Sequence, residues 1–111
     1  MDQDRLLAAF NGNRKILLHI AEIFSTRSAA MLGAISEAVM TRDAALLARS
    51  AHTLKGALYM LRAENAANAA VRLEAIARSG DWSEGERAYG VLGEEISRVV
   101  KELSELQALD V

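Results

Sequence analysis

The chain is 111 residues long, carries a formal net charge of −2 and contains neither cysteine nor proline. That length suits one domain with a single core. The composition excludes disulfides and thiolate metal sites and offers no basic excess for nucleic acid. No apolar run approaches the ~18–20 residues needed to cross a bilayer, and no secretory signal opens the chain, so the cytoplasm is the expected compartment without membrane insertion.

The first predicted element is a short helix over 4–10, with Leu6, Leu7 and Phe10 able to clip onto the end of a bundle. Asn11-Gly12-Asn13 breaks it and offers an N-cap to a second helix. This second helix is long, about 14–40: Ile16, Ile20, Phe24, Met31, Ile35 and Val39 keep near-helical spacing, and Ile23, Ala34 and Ala38 widen the apolar face. Thr41-Arg42-Asp43 is a tight connection with two candidate caps, so the third helix, about 43–62, is expected to lie antiparallel beside the second.

A short break then leads to a helix over about 64–78 that buries Ala66, Ala69 or Ala70, Leu73, Ile76 and Ala77. It ends at Gly80, a residue type that accepts the left-handed position past a helix C-terminus. Ser83 with Glu86 reads as a capping box for the last helix, about 83–107. There Tyr89, Leu92, Ile96, Val99, Leu103 and Leu106 alternate spacings of three and four, as at a bundle seam. Trp82 is expected to cover a bundle end, Gly85, Gly90 and Gly93 are candidates for close packing, and Glu86, Glu94, Glu95, Glu102 and Glu105 read as a solvated face. The fold class is therefore all-α: an antiparallel up-down four-helix bundle with a short additional N-terminal helix, one domain over 1–111.

Chemistry concentrates in the helix over 43–62. Each helical residue turns by about 100°, which puts Leu47, Leu54, Leu58 and Leu61 on one side, with Ser50 and Ala51 beside them. His52 points almost the opposite way, in company with Lys55, Gly56 and Tyr59 and, from the turn before, Ala48 and Arg49. Neutral imidazole is a competent nucleophile near neutral pH, its unperturbed pKa being about 6.5. The Lys55 ammonium, one turn away, suits neutralisation of a phosphoryl group, and Arg49 can assist from the other side. Glycine inside a helix costs roughly 1 kcal/mol relative to alanine, and at Gly56 it would let a partner's backbone approach His52. A surface histidine or an interior glycine alone is ordinary; lysine at +3 with glycine at +4 on an apolar-backed helix is not.

Ala51-His52-Thr53-Leu54-Lys55-Gly56 resembles the HxxKG signature of histidine-containing phosphotransfer (HPt) domains. The resemblance extends over nearly the whole chain: Phe10, Phe24, Asp43, Leu73-Glu74 and Gly80-Asp81 fall where the family has its long helix, an aromatic residue, the approach to the histidine helix, and the next helix with its turn. One departure is Arg62-Ala63, where the family often has Gly-Ala about ten residues after the histidine. The resemblance implies a phosphorelay intermediate of a two-component system. His52 would take phosphate from the aspartyl phosphate of a response-regulator receiver domain, through Nε2, and pass it to another receiver aspartate. It further implies Lys55 as the stabiliser of phosphoryl charge, and Ala48, Arg49, Gly56 and Tyr59 as partner-binding residues. A hybrid sensor kinase is expected upstream, Mg2+ is expected in the receiver and not here, and the chain is expected to be a monomer with no kinase activity of its own. The family's kinases follow their histidine with an acidic residue and an Arg-Thr-Pro-like segment, whereas Thr53-Leu54-Lys55-Gly56 follows here.

Competing readings are weaker. His19, between Leu18 and Ile20, reads as an edge or surface residue, and no Glu-x-x-His or His-x-x-x-His pair supports a metal site. No glycine-rich nucleotide loop exists. The alternative from a different class is a non-phosphorylated interaction bundle that binds by shape alone. A homodimer through the last helix is a third.

Overall fold

A computed structural model describes residues 3–108. Regular structure among the described residues is helical throughout: α1 Gln3–Ala9, α2 Arg14–Thr41, α3 Ala44–Met60, α4 Glu64–Ser79 and α5 Gly85–Ala108. The four longer helices form a ring in which α2 and α4 each pack against both α3 and α5. The bundle measures 45 × 20 × 18 Å. At 1.5 Å per residue, the 28 residues of α2 account for nearly all of the long axis.

Local chemistry sets the ends of these helices. The side chains of Asn13 and Asp43 cap α2 and α3 by accepting from the amides of Ile16 at 3.1 Å and Leu46 at 3.0 Å. Asp43 is therefore the cap of α3 and not its first residue. The C-terminal ends of α1 to α4 are followed by residues in the left-handed region: Asn11 (φ 55°), Arg42 (φ 54°), Arg62 (φ 58°) and Gly80 (φ 73°). At Arg62 the hydrogen bonds are those of a Schellman turn, with the Ala63 amide donating to the Leu58 carbonyl at 2.9 Å and the Arg62 amide to Tyr59 at 3.0 Å. This turn stops α3 at Met60, two residues before the expected end.

The capping box expected at Ser83 and Glu86 does not form. The Ser83 hydroxyl and amide both donate to Asp81 Oδ1, at 2.7 and 3.1 Å, making an Asx turn that satisfies Ser83 locally. The last helix accordingly starts at Gly85. Of the three α5 glycines, Gly85 alone is tightly packed: a Cβ there would lie 3.2 Å from Val39 Cγ1, while Gly90 and Gly93 face open space. Glu95 also departs from the solvated face, its side chain being largely covered and paired with Arg98 at 2.8 Å.

The main core takes Phe24, Ile35 and Ala38 from α2, the leucine stripe of α3, Leu73 and five alanines of α4, and Leu92, Ile96, Val99 and Leu103 of α5. A satellite cluster of Leu6, Leu17 and Leu106, with Leu7 and Phe10 against it, fastens α1 to the bundle end. That cluster corrects the expected α2 face. Leu17 takes the interior position because α1 covers it, leaving Ile16 half exposed and Ile23 at the surface. Ala66, Ala67, Ala69, Ala70 and Ala77 keep the inner side of α4 thin. Such small side chains let its backbone come close to α3, and this approach builds the site.

Candidate functional site

Leu47, Ala51, Leu54 and Leu58 are fully buried and set the rotation of α3 about its axis. His52 follows Ala51 by one residue and is turned out of the core; its side chain is 71% exposed. Arg49, Gly56 and Tyr59 are exposed on the same helix and Ala48 is half-buried. A Cβ added at Gly56 would meet nothing within 4 Å among the described residues, so no packing contact there requires a glycine. The surface beyond His52 is left low and open.

Lys55 behaves differently from its neighbours. Its side chain is only 24% exposed, the stem lying along the α3–α4 seam and the ammonium reaching Glu74 Oε1 at 2.7 Å. Glu74 lies on the inner side of α4 with a side chain just 11% exposed. Its second oxygen, Oε2, stands 3.5 Å from His52 Nδ1, within ion-pair reach. Arg78, one turn further along α4, approaches that same oxygen at 4.0 Å. Burial pushes the Glu74 carboxyl up, but the hydrogen bond and charge of Lys55, joined by His52, outweigh it and hold the carboxyl below its ordinary value. Glu74 is thus an anion placed between an imidazole and two cations.

Glu74 and Arg78 were not among the candidate residues read from the sequence. The available signal was a misplaced charge: Ala67, Ala70, Glu74 and Ala77 recur at three and four along one stripe of α4, and an acidic residue there is buried. A buried carboxylate requires a partner, and the cation facing it across the seam is Lys55. The lysine expected to serve a phosphoryl group is therefore engaged with a carboxylate of this chain. Across the imidazole from the Glu74 contact, Nε2 is the ring nitrogen turned away from that carboxylate.

His19 is exposed near the α1 end of α2, beside an open depression lined by Arg14, Lys15, Ile16 and Gln107. No group of three or more potential metal ligands forms among the described residues. No helix among them is long and apolar enough to cross a membrane.

The sequence model of the Hpt domain family matches residues 19–108. The crystal structure of histidine-containing phosphotransfer protein B (HptB) from Pseudomonas aeruginosa PAO1 is similar over 97% of this chain and 94% of that one, with a TM-score of 0.89 and 20% sequence identity. That likeness is one of fold. No curated protein matches the chain.

Proposed function

The chain belongs to the Hpt domain family, and we propose that His52 is the residue on which it carries phosphate. As an Hpt domain it is a histidine phosphotransfer intermediate of two-component signalling, and such domains work with receiver domains in phosphorelays. The observation that carries the assignment to His52 is its combination of exposure and orientation. The ring stands out of the bundle with Nδ1 turned toward a buried carboxylate, an arrangement that supports attack through the outward Nε2.

The rest of the mechanism comes from charge and access. A receiver docks over the outer face of α3, where Gly56 and Ala48 leave room and Arg49 and Tyr59 border the contact. Nε2 attacks phosphorus in line with the aspartyl oxygen, a reaction that asks the protein mainly for positioning and charge stabilisation. Lys55 supplies that charge, released in part from Glu74 as the phosphoryl group arrives. We place Mg2+ in the acidic pocket of the receiver, a hybrid sensor kinase upstream, and the exchange in the cytoplasm, with this chain acting as a monomer.

The test is transfer from a receiver domain charged with acetyl phosphate, followed on a Phos-tag gel beside His52→Gln. Acid-labile label is expected on the wild type and none on the variant, whose helical circular dichroism should be unchanged. Label persisting on His52→Gln would sink the assignment. Absence of label on wild type, at concentrations where docking is detected, would favour a non-phosphorylated interaction bundle.

A further inference from the structure

Once His52 carries phosphate, Lys55 stands between two anions. In the unphosphorylated chain its ammonium lies 2.7 Å from Glu74 Oε1, and only 11% of the Glu74 side chain is exposed. A phosphoryl group on His52 brings about two negative charges at neutral pH to the same stretch of the α3–α4 seam. The lysine can answer that group only by loosening its hold on Glu74. A buried carboxylate deprived of its cation is strongly destabilising, because the charge has then lost both water and partner. Transfer therefore calls for a second cation at Glu74 as Lys55 turns away.

We propose that Arg78 is this second cation: a positioning residue that takes over Glu74 while Lys55 moves to the phosphoryl group. The inference rests on His52 being the phosphoacceptor and on Lys55 meeting its charge. Among the described residues, the basic groups placed within 4 Å of the Glu74 carboxylate are Lys55, His52 and Arg78. Lys55 is the one that leaves and His52 is the one being phosphorylated, so the handover falls to Arg78. Its Nη1 lies 4.0 Å from Oε2, the oxygen that Lys55 does not hold. Closing to the roughly 2.8 Å of a charge-assisted hydrogen bond takes a movement of about 1 Å. With 69% of its side chain exposed, Arg78 has room for that movement, whereas Lys55, at 24%, is confined to the seam. Arg78 follows Glu74 by four residues on one helix, the acid-before-base order that favours such a pair. The chemistry of transfer is untouched. The Nε2–P bond forms, the P–O bond to the receiver's aspartate breaks with its electron pair leaving on the carboxylate, and the handover moves no proton.

The experiment is single-turnover transfer from a phosphorylated receiver, at saturating receiver, for wild type, Arg78→Ala, Glu74→Gln and the double variant of the whole chain. Arg78 is exposed, so its replacement should leave helical circular dichroism unchanged. In the wild-type background Arg78→Ala should lower the limiting rate about tenfold, the worth of one hydrogen bond to a charged group, and Arg78→Lys should recover most of the loss. Glutamine at position 74 presents no charge to be covered. In Glu74→Gln, therefore, the same substitution should change the rate less than about twofold, and the difference between the two steps is the coupling that a double-mutant cycle reads. Equal effects in both backgrounds would overturn the proposal, since Arg78 would then act on the phosphoryl group or on the receiver. So would the absence of any effect in the wild-type background. A further readout needs no variant. In 15N-arginine-labelled wild type the Arg78 guanidinium signals should lose mobility when His52 is phosphorylated, and unchanged signals would overturn the handover. Label retained by His52→Gln would remove the premise itself, and is read on a separate gel.

Discussion

At the scale of single residues, the site depends on a carboxylate that is neither exposed nor isolated. Glu74 is held below its ordinary pKa in the fold, burial working against and Lys55 and His52 working for ionisation. A carboxyl depressed in this way contributes stability that is fully present above its unfolded pKa, about 4.3, and is lost as pH falls through the folded value. Replacing Glu74 with glutamine should therefore cost stability at neutral pH, about 1–2 kcal/mol, because Lys55 keeps its charge without its partner. The deficit should shrink below about pH 4, where the wild type loses the same charge. Urea midpoints of both proteins from about pH 7 to 3 measure this, and a constant gap across the range would refute it. Asp81, also held low by its hydrogen bonds from Ser83, titrates in both proteins and cancels in the comparison.

At the scale of elements, strain lies at the helix ends. Arg62 holds a left-handed conformation (φ 58°) that side chains with a Cβ adopt at a cost of roughly 1–2 kcal/mol. Arg62→Gly relieves that cost and gives back part of it through a freer unfolded chain. The net gain should be about 0.5–1 kcal/mol, a rise of roughly 3–6 °C in Tm. An unchanged or lowered Tm would show the Schellman turn to be unstrained. Here the limits of the sequence become physical. Helical periodicity and the caps Asn13 and Asp43 were legible because they depend on neighbours within one turn. Gly80 announced its turn by lacking a side chain, whereas an arginine in the same conformation carries no local signature. Ser83 could pair forwards with Glu86 or backwards with Asp81, and the hydroxyl took the nearer carboxylate. Leu17 displaced Ile16 from the interior because α1 folds over it, a contact between elements that periodicity within α2 does not encode.

At the scale of the whole molecule, the bundle presents His52 on a rigid wall while leaving one approach to it clear. His52, Lys55 and Gly56 were legible from one helix because their spacing places them on one face. Glu74 and Arg78 were not, since their relation to His52 exists only once α4 lies against α3. The space above Gly56 is open, since nothing among the described residues comes within 4 Å of a Cβ built there. A larger residue at that point should leave the bundle intact and obstruct only what docks on it. Gly56→Ala should be tolerated, and should raise stability by roughly 1 kcal/mol, the helix-propensity difference. Gly56→Glu adds bulk and a negative charge facing the acidic pocket of an incoming receiver, and should weaken receiver binding at least about tenfold, as a desolvated like-charge contact does. The Tm of both variants should match or exceed that of wild type, which separates loss of docking from loss of fold. Titration of an unphosphorylated receiver into each protein by calorimetry decides the matter. Equal affinities for wild type and Gly56→Glu would mean that receivers approach His52 from the α4 side, over Arg78, and not along α3.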